Sequence, residues 1–492
     1  MQNTFKIHIF VRQLMKKLFL LNYTQSVILI AVLAAFQFFF RLDKPVVREW
    51  DEATYGVNAY EMLQSGNPIV VTFQNKPDLY NSKPPFGLWL MAGSIKLFGF
   101  NTFGLRFASA FISFLLVLFI FQSIYKTSKK LRWATFSALI LLGSIGFTGW
   151  HEARSGDFDA MVAAFIFCYV WFFIKGLYEK NGKAIFFSAV FLSMACLTKG
   201  IYGLVAIPVP ALLSYLLIRN MLNEKKLPWI YTQAGLYAGI TLFLTSFLGY
   251  YFYRAYLHPG YLQAVLQNEV GERFMLETHI HKDPIPFYYH TFKLLVYRFE
   301  PFILLLPFAV YGILKLPKAK VHYYLKGILL AAFSVWVIIS FSKTKLVWYD
   351  GSIYPLLAVV LGWYLSEGIA KIRQFQSYIF VALFLIVVLV FGLNQTEKDS
   401  FTFPFFLRVI RTEKHIRAPI TVYAKKFEHP VWFYSVQEKI EGNSLTFTGN
   451  ETELKAGQMV CTFSHEQELE LKNRFTLNEI LRKDENVLFQ IQ

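Results

Sequence analysis

Two adjacent acidic residues, Asp51 and Glu52, follow the first long apolar run of the chain, Val27 to Phe40. A carboxylate where a membrane span meets the surface is costly unless a ligand or a reaction needs it. A carboxylate at such a place can accept the proton of an attacking hydroxyl group. This pair is therefore the first candidate for a reactive site.

Further charged and polar residues lie near the ends of later apolar runs, in separate loops. Among them are Tyr80, Lys83, Asp159, Lys199, Arg273 and Lys345. Lysine and arginine beside a membrane suit a phosphate group at the depth of the lipid headgroups. With a carboxylate, they favour attack on a sugar carbon whose leaving group is a lipid phosphate, through an oxocarbenium-like transition state. Fixed cations would stabilise the departing phosphate.

The composition places these residues in a membrane protein. Of the 492 residues, 55% are hydrophobic and only 16% are charged. In a soluble chain about a quarter of the residues are charged. The apolar residues fall in blocks of roughly 17–25, the length that spans a bilayer. The net charge of +17 does not predict nucleic-acid binding, because the basic residues cluster in short gaps between apolar runs and no solvated basic domain is present.

The distribution of basic residues predicts a topology with the N-terminus in the cytoplasm. It places residues 42–100 on the outer side, where Lys83 to Gly99 reads as a helix along the interface. All the candidate site residues then face the outer side of the membrane. The eleven predicted spans lie near residues 23–41, 102–125, 133–150, 159–175, 184–198, 200–218, 231–253, 299–315, 325–341, 347–366 and 377–393.

From about residue 396 the sequence becomes charged and soluble in character. Short strands are predicted at Ile420–Tyr423 and Leu445–Phe447, and a helix at Gln467–Arg474. Roughly a hundred residues suffice for a small α/β domain. We therefore expect an all-α polytopic membrane protein with about 11–13 transmembrane helices plus interfacial helices. In this scheme residues 1–395 form the membrane domain, and residues 396–492 form an extracytoplasmic cap or docking domain without a catalytic motif.

Several short motifs occur in one order along the chain and together resemble a known family. The family is the polyprenyl-phosphate-sugar-dependent glycosyltransferases of the GT-C fold, in the branch of the aminoarabinose transferases of lipid A and the bacterial enzymes similar to protein mannosyltransferases. The motifs are Asp51-Glu52-Ala53-x-Tyr55, Lys83-Pro84-Pro85, Ala153-Arg154 with Asp159, Leu197-Thr198-Lys199-Gly200, Arg273-Phe274, and Ser342-Lys343-x-Lys345.

This resemblance implies roles for individual residues. Asp51 would be the catalytic carboxylate, most simply the general base, and Asp159 would be the second acidic residue of the catalytic site. Apart from the resemblance, Glu52 could complement the dipole of the first helical turn or support Asp51, and it is also a candidate for the substrate site. The phosphate of the lipid carrier would be held by Lys83 and Arg273 with Tyr80 nearby, in a cavity lined by Lys199 and Lys345.

The resemblance has one departure that concerns a metal. Some relatives hold a structural zinc through a Glu before Lys-Pro-Pro and a His before Arg-Phe, where this chain has Ser82 and Val270. We expect no zinc there and no required cofactor, although a divalent ion between acids stays open. His279 and His281 lack a clear third ligand for a different metal site.

Simpler structural roles remain open for the same residues. Asp51 could cap a helix over residues 52–64, and Asp157 could cap the span that follows it. Lys199 could extend to the interface. Arg273 could pair with Glu269 on a helix surface.

The function predicted from these features is an inverting glycosyltransferase of the bacterial cytoplasmic membrane. It would move a sugar from a polyprenyl-phosphate carrier to an extracytoplasmic lipid, glycan or protein. Its other partners would be membrane lipids and not nucleic acid. The alternative is a transporter or flippase of a lipid-linked or small polar substrate, since charges in membrane segments also mark transport pathways.

Overall fold

The computed structural model describes most of the chain. The described residues are 21–47, 50–79, 81–149, 151–206, 233–275, 286–293, 297–317, 320–368, 373–395, 402–426 and 428–492. Tyr80, His279 and His281 lie outside them, as does most of the predicted span at 200–218. Of Arg273, only the backbone is described.

Helices dominate the described chain. In chain order they are α1 (Tyr23–Phe39), α2 (Trp50–Ser65), α3 (Phe86–Phe98), α4 (Thr102–Ser128), α5 (Leu131–Leu142), α6 (Ile145–Thr148), α7 (Asp159–Glu179), α8 (Gly182–Lys199), α9 (Ile201–Ala206), α10 (Gln233–Leu257), α11 (Tyr261–Val265), α12 (Tyr289–Lys293), α13 (Leu306–Leu314), α14 (Lys320–Phe341), α15 (Ile353–Trp363), α16 (Arg373–Asn394), α17 (Phe403–Arg408), α18 (His429–Ile440) and α19 (His465–Arg474).

Other helical turns extend these elements. They are the π-helical segments Leu266–Met275, Tyr364–Gly368 and Val409–Glu413, and the 3-10 turns Phe302–Leu305, Val347–Asp350 and Glu451–Glu453. The strands are β1 (Thr72–Phe73), β2 (Lys76–Pro77), β3 (Ile420–Tyr423), β4 (Leu445–Thr448), β5 (Met459–Thr462), β6 (Leu477–Lys483) and β7 (Asn486–Ile491).

Six of the described helices are long and apolar enough to cross a bilayer. They are Thr102–Ser128, Asp159–Glu179, Gly182–Lys199, Ala234–Leu257, Val321–Phe341 and Gln376–Asn394. Five shorter apolar helices, of 10–17 residues, accompany them. The predicted class of a mostly helical integral membrane protein is confirmed.

The predicted span 133–150 differs from the structure. Helix α5 ends at Leu142, because the chain leaves the helix at Gly143 and Ser144, and only the one-turn helix α6 follows. A glycine followed by a serine commonly ends a helix. Here these two residues end the helix although the sequence stays apolar beyond them.

The described contacts divide the chain into two compact units. The helical unit comprises Met1–Phe40, Asp78–Gly87 and Ser109–Asn394. The mixed unit comprises Arg41–Pro77, Leu88–Ala108 and Gln395–Gln492. The helix that carries Asp51 therefore belongs to the same unit as the C-terminal residues.

The C-terminal residues of the mixed unit form a five-stranded sheet in the order β4-β3-β5-β7-β6. Strand β3 is parallel to β4 and β5, and β7 is antiparallel to β5 and β6. Helices α18 and α19 are the connections after β3 and β5. Strand β3 is mostly apolar and buried, as expected of an inner parallel strand. The predicted strands at Ile420 and Leu445 and the helix ending at Arg474 are confirmed.

Helix α2 is the element of the mixed unit that matters for the site. It packs on α18, and a side chain at Gly56 would meet Leu105 and Phe433, each 2.9 Å from the position of its Cβ. The absence of a side chain at Gly56 allows this close approach. Helix α2 is thereby packed closely against its neighbours near its middle.

Candidate active site

Asp51 lies in the first turn of α2 and is partly exposed. The helix begins at Trp50, so the expectation that Asp51 caps a helix over 52–64 is wrong. The Asp51 carboxylate forms no hydrogen bond or ion pair with any residue that the structure describes. Asp51 is therefore an accessible carboxylate that is available to accept a proton.

The neighbouring Glu52 has a different environment. It is buried, and its two oxygens accept hydrogen bonds from Arg106 Nε and Nη2, at 2.6 and 2.8 Å. Arg106 also donates to the carbonyl oxygens of Leu42, Pro45 and Val46. A two-pronged arginine–carboxylate pair fixes both partners in orientation. Glu52 thus ties α2 to the chain that enters it, and this pair supports the position of Asp51.

Asp159 and Lys199 meet in the helical unit. Asp159 is the first residue of α7 and Lys199 the last of α8, and the Lys199 ammonium forms an ion pair with Asp159 Oδ1. Both side chains are buried. The same ammonium lies 5.0 and 5.4 Å from the ring centres of Tyr202 and Tyr349. Lys199 therefore does not extend to a surface, and this alternative is wrong.

Lys83 is buried in a short segment that two hydrogen bonds fix in place. Tyr261 Oη donates to the Ser82 carbonyl oxygen at 2.8 Å, and the Ser82 hydroxyl donates to Glu269 Oε1 at 3.1 Å. Both bonds tie the residue before Lys83 to α11 and the π-helical segment that includes Arg273. The two positions expected to hold phosphate thus lie on connected segments.

The Lys83 segment also lies next to the end of α8. A Cβ atom built on Gly200 would lie 3.3 Å from Pro84 Cδ. Gly200 has a φ of +60° and ends the helix directly after Lys199. The helical unit therefore brings the backbone around Lys83 together with the Asp159–Lys199 pair.

Of the two lysines in Ser342-Lys343-x-Lys345, only Lys345 is buried. Its Nζ donates to the Ser342 carbonyl oxygen at 2.6 Å. Burial, and after it the charge of Lys343, lowers the pKa of Lys345 below its usual value. Lys343 is exposed. The structure thus favours Lys345 over Lys343 as the lysine of an enclosed polar site.

Sequence reasoning missed Arg298 and Asp350. Arg298 is buried, with Nη2 3.2 Å from Glu152 Oε1 and Nη1 3.5 Å from Asp350 Oδ1. It also donates to the carbonyl oxygens of Val347 and Gly146. This network holds the turn that carries Tyr349 beside Lys199. The available signal was a charge inside an apolar run, since Asp350 falls within the predicted span 347–366.

Asp157 does not cap α7. The residue before α7 is Phe158, and no side-chain cap bond is present there. Asp157 instead lies 3.0 Å from His151 Nδ1, and the His151 ring stacks on Trp348 at 3.8 Å. The expectation that Asp157 is a cap is wrong, because the histidine in the preceding loop binds the carboxylate.

No group of three or more His, Cys, Asp or Glu side chains that could hold a metal ion occurs among the described residues. Ser82, at the position where the resemblance implies a zinc ligand in some relatives, lies within hydrogen-bonding distance of Glu269. Arg273 and Tyr80 keep the roles predicted from the sequence as predictions, because their side chains lie outside the description.

Comparison with known proteins places these features in context. Residues 82–248 match the model of the dolichyl-phosphate-mannose-protein mannosyltransferase family. The chain is 25% identical over 355 residues to an uncharacterized protein of Aquifex aeolicus (strain VF5), covering 71% of this chain and 66% of that one. The chain therefore spans about two thirds of the length of this relative.

A second relative carries a name. It is the undecaprenyl phosphate-alpha-4-amino-4-deoxy-L-arabinose arabinosyl transferase of Shewanella sediminis (strain HAW-EB3), 27% identical over 402 residues, covering 78% of this chain and 69% of that one. Among solved structures, the crystal structure of ArnT from Cupriavidus metallidurans bound to undecaprenyl phosphate has a TM-score of 0.71 at 16% identity, covering 95% and 98% of the two chains. The predicted resemblance to glycosyltransferases of the GT-C fold is thus confirmed, since the chain is similar to such enzymes in sequence and has the fold of ArnT.

Proposed function

We propose that the chain transfers a sugar from a polyprenyl-phosphate carrier to an acceptor hydroxyl group, with inversion at the sugar carbon. The observation that carries the proposal is the Asp51 carboxylate, which is partly exposed and forms no hydrogen bond or ion pair with a described residue. The named relative takes its sugar from undecaprenyl phosphate, and a similar fold has been solved with undecaprenyl phosphate bound. These two facts support a polyprenyl-phosphate donor for this chain.

In the proposed reaction Asp51 accepts the proton of the acceptor hydroxyl as its oxygen attacks the anomeric carbon. The new carbon–oxygen bond forms while the bond to the phosphate oxygen breaks, and the electron pair of that bond stays on the phosphate. A carboxylate positioned as a general base contributes about 10²–10⁴-fold to such a step. The leaving phosphate needs no proton, because its own charge is stabilised by cations.

Lys83 and Arg273 are the proposed cations that hold this phosphate. Tyr261 and Glu269 fix the residue before Lys83, so the backbone there has little conformational freedom to lose when the phosphate binds. Preorganised cations stabilise charge that develops in the transition state more than charge already present in the ground state. In this proposal they raise the rate as well as the affinity for the donor.

The Asp159–Lys199 pair and Lys345 are proposed to shape the polar site around this phosphate. Each is buried, and the ion pair joins the start of α7 to the end of α8. The reaction is proposed to take place on the extracytoplasmic side, because the basic loops mark the other side as cytoplasmic. Lipid, glycan and protein acceptors all offer the hydroxyl or phosphate oxygen that the mechanism needs.

The test uses the purified protein in lipid, a polyprenyl-phosphate donor labelled in its sugar, and an extract of bacterial envelope as acceptor. Since the relatives name it, undecaprenyl phosphate-aminoarabinose is the first donor to try. We expect labelled sugar on the acceptor and free undecaprenyl phosphate. Asp51→Asn should abolish both products, while Asp43→Asn, at an exposed aspartate paired with Lys44 in the same unit, should not.

The same assay separates the proposal from the transport alternative. A transporter would move labelled donor across the wall of a sealed vesicle and leave the bond between sugar and phosphate intact. Intact donor on both sides of the vesicle, with no undecaprenyl phosphate formed from any donor, would contradict the proposal.

A further inference from the structure

Helix α18 of the C-terminal sheet region contacts α2 and the chain just before it, and all of these residues lie within the mixed unit. Tyr434 Oη accepts a hydrogen bond from Val47 N at 2.8 Å, just before α2 begins. Phe433 packs where Gly56 has no side chain. His429 Nδ1 lies 2.8 Å from Thr54 Oγ1, one turn after the start of α2. The last contact lies closest in sequence to Asp51.

The hydrogen bond between His429 and Thr54 has a definite direction. The Thr54 hydroxyl has one proton, and it donates this proton to the Trp50 carbonyl oxygen at 2.7 Å. Toward the histidine, Thr54 Oγ1 can therefore act only as an acceptor. The proton of this bond must belong to His429 Nδ1, which fixes the ring in the form that carries hydrogen on Nδ1.

The ring of His429 is also fixed in its plane. The Trp50 ring meets it edge-on at 4.5 Å and 89°, and the Phe73 ring lies 4.9 Å away. Burial lowers the pKa of His429 to about 4, although the charge of nearby Asp51 acts in the opposite direction. The imidazole is therefore neutral near pH 7, and its Nδ1–H bond to Thr54 adds no full charge beside Asp51.

We propose that His429 is a positioning residue for the reaction, acting through Thr54 on the first turn of α2 and so on Asp51. This inference rests on the proposed role of Asp51 and deepens it. The first turn of a helix lacks half of its intrahelical hydrogen bonds and frays unless other groups hold it. The Thr54–His429 bond and the Trp50–His429 ring contact supply that constraint from α18.

The proposal changes the role expected for the C-terminal residues. A cap or docking domain could be altered at α18 without an effect on the chemical step. Here α18 determines where the proposed base lies, so residues 429–434 contribute to the rate of the reaction. Thr54 occupies the third position after Asp51. Its hydrogen-bond partner, His429, lies 375 positions further along the chain.

Four variants test the bond and one serves as the control. His429→Asn keeps a nitrogen donor near the position of Nδ1, and Thr54→Ser keeps the hydroxyl, whereas His429→Ala and Thr54→Val each remove one side of the bond. The control is Lys439→Ala, at an exposed residue of the same helix. The measurements are kcat, KM for the donor, and hydrogen–deuterium exchange of the α2 amides.

We expect His429→Ala and Thr54→Val each to lower kcat by about tenfold, the equivalent of one hydrogen bond, with little change in donor KM. His429→Asn and Thr54→Ser should stay within about threefold of the wild type. The double variant Thr54→Val with His429→Ala should lose no more than either single variant, because both remove the same bond. Exchange at residues 51–55 should rise in His429→Ala and not in Lys439→Ala.

Two results would overturn the inference. One is a His429→Asn variant as slow as His429→Ala, and the other is unchanged exchange at residues 51–55 in His429→Ala. If the wild-type protein transfers no sugar, the proposed function fails while the exchange data still decide whether His429 holds the first turn of α2. If His429→Ala does not fold, the comparison of Thr54→Val with Thr54→Ser decides by the same criteria.

Discussion

Asp51 and Asp159 occupy similar places in two different regions of the molecule. Each lies in the first turn of a helix, Asp51 in α2 of the mixed unit and Asp159 in α7 of the helical unit. Asp159 is buried and forms an ion pair with Lys199, whereas Asp51 is partly exposed and has no partner among the described residues. Helix position alone therefore does not distinguish a reactive carboxylate from a supporting one.

This difference shows that the presence or absence of an ion-pair partner separates the two carboxylates. A carboxylate committed to a buried cation must break that pair before it can accept a proton. A carboxylate without a partner can react at no such cost, and its removal leaves no uncompensated charge. We therefore expect Asp51 to take part in the reaction and Asp159 to support the fold around it.

The largest change in stability is expected for Asp159→Leu. This substitution leaves the buried Lys199 ammonium without its carboxylate, and losing one partner of a buried pair costs about 3–5 kcal/mol of unfolding free energy. Adding Lys199→Met should restore most of the loss, because neither charge then remains. Denaturation in detergent measures both values. A single variant as stable as the wild type would refute the supporting role.

Glu52→Gln allows the two adjacent carboxylates in the first turn of α2 to be compared. It removes the ionic partner of Arg106, but the guanidinium keeps the carbonyl oxygens of Leu42, Pro45 and Val46. We expect a smaller loss, about 2–3 kcal/mol, for this reason. Asp51→Asn in the same helix should change unfolding by less than about 0.5 kcal/mol. Equal losses in the two variants would show that pairing does not separate them.

Lys83→Met tests the proposed cation site by binding. Loss of a charge-assisted bond to phosphate should weaken undecaprenyl phosphate binding by about ten- to a hundredfold. The matched variant Lys343→Met, at an exposed lysine, should bind within about twofold of the wild type. Titration calorimetry gives both affinities. Equal affinities for the two variants would show that Lys83 does not bind the phosphate.

The smallest expected effect is a pH dependence in the mixed unit. The pKa of His429 is lowered from 6.5 to about 4, chiefly by burial, so between these values the unfolded chain binds more protons than the folded one. Stability should fall as the pH is lowered from 6.5 to 4, and by less than about 1 kcal/mol because the ring is partly exposed. In His429→Asn, stability should depend less steeply on pH between 6.5 and 4. Identical slopes in thermal melting would contradict the assignment.

The parts of the molecule that were predictable from sequence depend on local patterns. The apolar runs indicated the membrane helices, and short β-rich segments indicated β3 and β4. The acidic pair at the start of α2 was visible because it interrupts an apolar region. These features need only neighbouring residues, so periodicity and composition suffice to find them.

The pairings that build the site were not predictable in the same way. Glu52 and Arg106 are 54 positions apart, and Arg298 and Glu152 are 146 apart. Thr54 and His429 lie still further from each other in sequence. Even where one residue stands out in its own segment, as Glu52 does, the sequence does not show which distant residue it pairs with. The start of α2 at Trp50, rather than after Asp51, is a similar case of packing that outweighs a local capping signal.

The most direct test of the account is the single-turnover rate of Asp51→Asn with the donor already bound. The account predicts a rate lower by about a hundredfold or more, the contribution of a positioned general base, with unchanged affinity for undecaprenyl phosphate and unchanged melting. A folded Asp51→Asn protein that transfers sugar within about threefold of the wild-type rate would contradict it.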